Sequence, residues 1–299
     1  MRIVVKRAVE LGLCRSGIAR LARSLRSRDV LVLAYHNVVP EGEAVRGERS
    51  LHIGQEKLHR QLSLLNRMHQ LVPVDAIQGP GSGRPRVAVT FDDAYRGAVR
   101  LGVDVLSDLA LPATIFVAPA WLGGRRFWWD VLSHDRELEP GERERALTEH
   151  QGKGATVLAA AGHGTYPDGP VSPHTVTAGE AELEAALAFD GLTVGSHSWS
   201  HPNLATLRGT ELEEEVVRPL EWLRDRWPGR TVDWLSYPYG RWSREVVDMA
   251  RRAGYRGAFR IEGGWADGRV PPYETPRLNV PAGLSLEGLE IRASGLRPL

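Results

Sequence analysis

The chain has 299 residues, of which 42% are hydrophobic and 25% charged, and its net charge is +1. That is ordinary composition for a globular protein, with enough apolar material for one large α/β domain or two small ones. Near neutrality argues against bulk electrostatic capture of nucleic acid. The lone Cys14 excludes both an internal disulfide and a cysteine-built zinc centre, so any metal must be held by His, Asp or Glu. A single thiol also fits a reducing compartment, and the expected location is cytoplasmic.

Residues 1–28 are basic and amphipathic, with Ile3, Val4, Ala8, Leu11, Ile18, Leu21 and Leu25 at roughly helical spacing. Arg7, Glu10 and Arg15 interrupt any apolar core of a signal peptide. No later stretch approaches the ~18 apolar residues of a membrane span. Two readings stand for this segment: a helix packed on the domain, or peripheral contact with the inner face of an anionic membrane. The remainder, 29–299, is expected to be one domain.

From there strands and helices alternate. Val30–Tyr35 reads as a strand ending at His36, and Gln55–His69 as a helix. Arg86–Phe91 is a strand running into Asp92 and Asp93, followed by a helix at Tyr95–Leu109 and a strand at Ala113–Ala118. Residues 121–190 break the rhythm and read as an insertion, holding the Phe127-Trp128-Trp129-Asp130 cluster, a helix near Glu137–His150 and a Gly/Pro/His loop at Gly162–Pro173. Leu192–Ser196 leads into His197. Then come a helix at Glu211–Trp227, a strand at Trp234–Tyr237, a helix at Arg244–Ala253, and strands at Gly257–Arg260 and Leu278–Val280. Such alternation predicts parallel βαβ units, with reactive residues just past the strand ends.

Four motifs sit at those ends. Thr90-Phe91-Asp92-Asp93 places two carboxylates at a buried strand terminus, which calls for a compensating charge such as a metal ion; the pair also fits a helix N-cap. His197-x-x-x-His201 brings two imidazoles within reach of one cation, and Pro202 favours a turn over a regular helix there. With Asp93 this gives two nitrogens and one oxygen, the open three-ligand set of a catalytic metal. Tyr237-Pro238-Tyr239-Gly240 reads as a rigid turn, with the Tyr239 N–H available to an oxyanion. Tyr35-His36-Asn37 is the fourth. Trp128, Trp129, Trp199, Trp242 and Trp265 are candidates for stacking on sugar rings, with core packing as the alternative for each.

Together these pieces resemble the polysaccharide deacetylase, or NodB-homology, family over roughly Val30 to Val280. Thr90–Asp93 is similar to its Thr-Phe-Asp-Asp motif, His197–His201 to its metal motif, and Tyr237–Gly240 to its Pro-Tyr motif. The resemblance implies a deformed (β/α) barrel. It also implies a divalent metal, usually zinc, on Asp93, His197 and His201, with Asp92 as general base and the Tyr239 N–H in the oxyanion site. Independently of the resemblance, Trp128, Trp129, Trp199, Pro238 and Arg277 are the residues expected to contact the substrate. The third motif commonly begins with Arg two positions before Pro; here that residue is Ser236, and Arg277 is the candidate replacement. A C-terminal Leu-x-His is missing, whereas Leu33-Ala34-Tyr35-His36 looks like that element moved forward, as in a circularly permuted branch. His36 would then be the general acid. The implied function is removal of an N-acetyl group from an amino sugar. The alternatives are deformylation or other amide hydrolysis on a lipid-linked sugar, and a non-catalytic carbohydrate-binding relic.

Overall fold

A computed structural model describes residues 2–79, 83–134, 136–163 and 171–296, with side chains from residue 9 onward. Residues 164–170 of the expected Gly/Pro/His loop, and the side chains of Ile3, Val4 and Ala8, lie outside the described part.

Two helices come first, α1 (Arg2–Arg15) and α2 (Ile18–Ser24). They are followed by β1 (Val30–Tyr35), β2 (Asn37–Val39), β3 (His52–Gly54), α3 (Gln55–Met68), β4 (Gln70–Leu71) and β5 (Arg86–Phe91). The expected helix after β5 begins as a π-helical turn at Ala98–Gly102 and continues as α4 (Val103–Asp108), ahead of β6 (Ala113–Val117). Residues 121–190 hold α5 (Trp128–Leu132), α6 (Pro140–Thr148), α7 (Gly154–Ala160) and α8 (Glu180–Ala186). The second half runs β7 (Leu192–Ser196), α9 (Gly209–Arg226), β8 (Thr231–Ser236), α10 (Arg244–Ala253), β9 (Gly257–Arg260), β10 (Trp265–Ala266), β11 (Thr275–Asn279) and α11 (Leu286–Ala293).

Among the described residues, seven parallel strands close on themselves in the order β1-β11-β9-β8-β7-β6-β5, and β1 pairs with β5 to complete the ring. This is a (β/α) barrel. β1 and β5 are apolar-rich and buried along their whole length, as strands covered on both faces must be. One core cluster lies between the strands and the helices, running from Leu31 through Phe91 to Leu289. A second, around Val32, Phe116, Trp234 and Phe259, lies on the other side of the same strands.

Two strands begin earlier than the apolar runs suggest. β8 starts at Thr231 because its first half alternates Thr231-Val232-Asp233-Trp234, with only Val232 and Trp234 fully buried. β11 starts at Thr275, three residues before the expected Leu278, and carries the buried Arg277. A strand with a buried cation is invisible to hydrophobic patterning; it is permitted here because a carboxylate meets that cation. The small β2–β3 sheet was not expected from the sequence, since three-residue strands carry no periodicity.

The N-terminal segment packs on the domain. The Glu10 carboxylate accepts the Ser285 hydroxyl at 3.1 Å, at the start of α11, and Arg26 pairs with Asp29 at 3.1 Å.

Candidate active site

All four motifs arrive at one end of the barrel, where the strands finish. The cleft there has a volume of about 400 Å³, and its walls include His36, Asp92, Asp93, His197, His201 and Tyr239.

Asp92 follows the last residue of β5. Its carboxylate meets the Arg277 guanidinium as a fork, Nη1 to Oδ1 at 2.8 Å and Nη2 to Oδ2 at 2.6 Å. Arg277 Nη2 also donates to Ser236 Oγ at 2.8 Å, and Nη1 donates to Thr90 Oγ1 at 3.2 Å. Burial pushes the Asp92 carboxyl up, but the Arg277 guanidinium and the nearby His197 outweigh it and hold the group well below the usual carboxylate range. The departure at Ser236 thus has a physical explanation: the short side chain accepts from a guanidinium that enters from β11 instead.

Asp93 and the two histidines form a separate cluster. Asp93 Oδ1 lies 3.2 Å from His201 Nε2 and 3.6 Å from His197 Nε2, and the two Nε2 atoms are 3.1 Å apart. Four-coordinate zinc with ligand bonds near 2.0–2.2 Å has ligand–ligand edges of about 3.3 Å, which this triangle matches. His197 Nδ1 is 2.7 Å from the Ser236 carbonyl oxygen, which can only accept; Nδ1 therefore carries the hydrogen, and the neutral ring turns its Nε2 lone pair toward Asp93 and His201. Burial, opposed by Asp92 and reinforced by His201, lowers the His197 pKa to about 4, so the ring is neutral at pH 7. Asp93 Oδ1 is buried without a hydrogen-bond partner. An orphaned carboxylate oxygen beside converging imidazole nitrogens fits a divalent cation, and the three residues form a metal-competent group. The alternative reading of the aspartates as helix caps is not realised: one carboxylate faces Arg277, the other the histidines.

The backbone here is unusual. Of the seven non-glycine residues with positive φ among those described, five are Asp93, Ala94, Ser198, His201 and Tyr239. Such conformations persist only where surroundings enforce them, and they concentrate at functional sites.

Residues 121–190 do much of the enforcing. Tyr239, at φ 59° and ψ 7°, accepts the Trp128 indole N–H at 2.9 Å and donates its own hydroxyl to the Gly152 carbonyl at 3.0 Å. The His201 ring lies against Tyr239, Trp129 and Phe127, at centroid distances of 4.6, 5.2 and 5.4 Å. Gly152 has φ +65°, and a Cβ there would come within 2.6 Å of the Tyr239 ring. Gly152→Ala is expected to cost about 1–3 kcal/mol of stability and to lower kcat by moving Tyr239; chemical denaturation and steady-state kinetics of the purified variant check both.

His36 follows β1 and lines the same cleft. Burial lowers its pKa, while Asp93 and Asp92 pull it back up. Trp129 is at the cleft wall though only 3% exposed. The other tryptophans are elsewhere. Trp128 is buried behind Tyr239, and Trp199 is covered by the Arg218 guanidinium 3.7 Å from its ring centre. Trp242 stacks near Tyr237, and Trp265 contacts α11 through the Arg292 carbonyl. Pro238 is buried at the start of the turn that carries Tyr239. Of the five tryptophans named as stacking candidates, only Trp129 lines this cleft, and α6 brings Arg143, Glu144 and Leu147 to it. No motif marks those residues, because their position depends on how residues 121–190 dock.

The polysaccharide deacetylase family profile matches residues 80–258. The chain belongs to the polysaccharide deacetylase family. A chitooligosaccharide deacetylase of Sinorhizobium fredii is 22% identical over 188 residues, 62% of each chain. One from a Bradyrhizobium species is 28% identical over 80 residues, 27% of this chain and 36% of that protein, so the chain spans about a third of the length of that relative. Among solved structures, the polysaccharide deacetylase BC0361 of Bacillus cereus superposes with TM-score 0.63 at 16% identity, covering 89% of this chain and 69% of the other. IcaB of Ammonifex degensii gives 0.61 at 18% identity, covering 90% and 98%. At such identities the superpositions speak for the shared polysaccharide deacetylase fold.

Proposed function

We propose that this polysaccharide deacetylase family member hydrolyses the N-acetyl group of an amino sugar within a glycan or glycan precursor, with a divalent metal, zinc by preference, on Asp93, His197 and His201. The observation that carries the reading is the division of labour between the adjacent aspartates. One is ion-paired and ionised beside the cleft; the other has an orphaned oxygen aimed at two histidines. A bound divalent ion supplies Lewis acidity for the amide carbonyl and for the attacking water.

The remaining chemistry belongs to the chain. Asp92, kept ionised by Arg277, accepts the proton of the attacking water. The Tyr239 backbone N–H, held by the Trp128 and Gly152 contacts, donates to the carbonyl oxygen as negative charge develops on it. His36 delivers a proton to the departing nitrogen, which leaves as an amine while acetate forms. The topology supports this role for a histidine so early in the chain. β1 closes the ring between β5, with its aspartates, and β11, with Arg277, so a histidine at its end shares their cleft. The single Cys14 supports placement in a reducing, cytoplasmic setting, and no described helix is long and apolar enough to cross a membrane. Arg143 and Glu144 on α6 face the cleft and are the side chains expected to select among sugars.

A substrate panel tests the reading. Zinc-loaded protein is expected to release acetate, with one free amine per acetate, from N-acetylglucosamine oligomers. Faster release of formate from N-formyl amino sugars would instead favour the deformylase alternative. Metal binding without hydrolysis of any of these would sink the proposed activity.

A further inference from the structure

The exposed large apolar side chains among the described residues are Ile18, Leu21 and Leu25, at 47%, 67% and 80% exposure. All three belong to α2 or its C-cap. Their i, i+3, i+7 spacing puts them on one stripe. The opposite side of the helix is the docked one. Ala19 is fully buried there, Arg23 reaches Met68, and Arg26 pairs with Asp29 and lies over the Trp265 ring. The helix therefore packs by alanine and arginine stems and turns its branched aliphatics outward, the reverse of a helix that serves a core.

Charge identifies the partner. Residues 11–28 hold five arginines and no acidic residue, in a chain whose net charge is +1. Arg15, Arg20 and Arg28 are exposed and lie within three residues of Ile18, Leu21 or Leu25 in sequence. Aliphatic side chains bordered by arginines on a short surface helix match the interface of an anionic bilayer, where the aliphatics enter the acyl boundary and the guanidinium groups meet phosphates. We propose that α2 docks this protein on an anionic lipid surface through Ile18, Leu21 and Leu25.

The placement has a consequence for the substrate. α2 leads into the N-terminal end of β1, and Arg26 contacts β10 beside that end, whereas the cleft lies at the C-terminal ends of the strands. A docked molecule thus keeps its cleft open to the aqueous phase, where a glycan chain is reached from water. The docking itself does not depend on the deacetylase reading and is measured without turnover.

The test is vesicle flotation of the full chain. Binding to phosphatidylglycerol–phosphatidylcholine vesicles is expected to be about a hundredfold tighter than to phosphatidylcholine alone, given about fivefold for each of the three exposed arginines near the surface. It should weaken as salt is raised. A Leu21→Glu/Leu25→Glu variant should lose binding while keeping its circular dichroism spectrum, since neither side chain packs inward. An Arg15→Gln/Arg20→Gln/Arg28→Gln variant should lose the preference for anionic vesicles. Absence of wild-type binding, equal binding to both vesicles, or undiminished binding by the leucine variant would overturn the proposal. So would a wild-type dimer that the leucine substitutions dissociate, because a second copy would then be the occupant.

Discussion

Asp92→Asn is expected to lower kcat by about 10²–10⁴ while the protein still binds one metal ion. The asparagine keeps the shape and one acceptor for Arg277 but cannot take a proton. The metal-competent cluster of Asp93, His197 and His201 does not include the changed side chain. The separation of the two effects is the informative part. A variant that lost metal along with activity would show that the aspartates share one role, contrary to the geometry in which their carboxylates face different partners. Metal content by elemental analysis, beside kcat on an N-acetylated amino sugar, reads both.

Arg277→Met is the second large effect. Both partners of the ion pair are buried, with side-chain exposures of 0% for Arg277 and 3% for Asp92. Removing one partner leaves an uncompensated charge, a loss of about 3–5 kcal/mol in folding stability at neutral pH. The sign of the pH dependence follows from the direction of the Asp92 shift. In the wild type its folded pKa is depressed, so its contribution is present above the unfolded carboxylate pKa and fades as pH falls through the folded one. Without the guanidinium, burial is opposed only by His197 and His36, and the pKa rises. The variant's deficit should then be largest near neutrality and shrink on acidification, as the carboxylate protonates. Activity should follow, with the acid limb of kcat/KM moving to higher pH. Arg277→Lys should recover part of the stability but not the wild-type profile, because an ammonium cannot reproduce the two-pronged contact. Urea unfolding at several pH values, paired with pH–rate profiles, tests both; a profile unchanged in Arg277→Met would remove Arg277 from the base's environment.

Most of the strands were legible because barrel strands buried on both faces read as compact apolar runs; Val30–Tyr35 and Arg86–Phe91 were recovered to the residue. The strand carrying Arg277 was read late, because its charge hides the pattern and only the partner across the barrel explains it. The convergence of Asp92, Asp93, His197 and His201 on one cleft is legible because each motif follows the end of a barrel strand. The tryptophans were not separable from the sequence: an indole that braces Tyr239 and one that lines the cleft are adjacent in the same Trp128-Trp129 pair. The contribution of α6 was also hidden, because nothing local in Pro140–Thr148 records that the helix docks over the strand ends.

The most direct test of the account is acetate and free-amine release from N-acetylglucosamine oligomers, measured before chelation, after chelation and after zinc is restored. Turnover is expected to stop when the metal is removed, to return with zinc, and not to return in His197→Ala. Undiminished turnover in chelator, or full activity of His197→Ala, would contradict the assignment of Asp93, His197 and His201 as the metal-holding centre of a deacetylase.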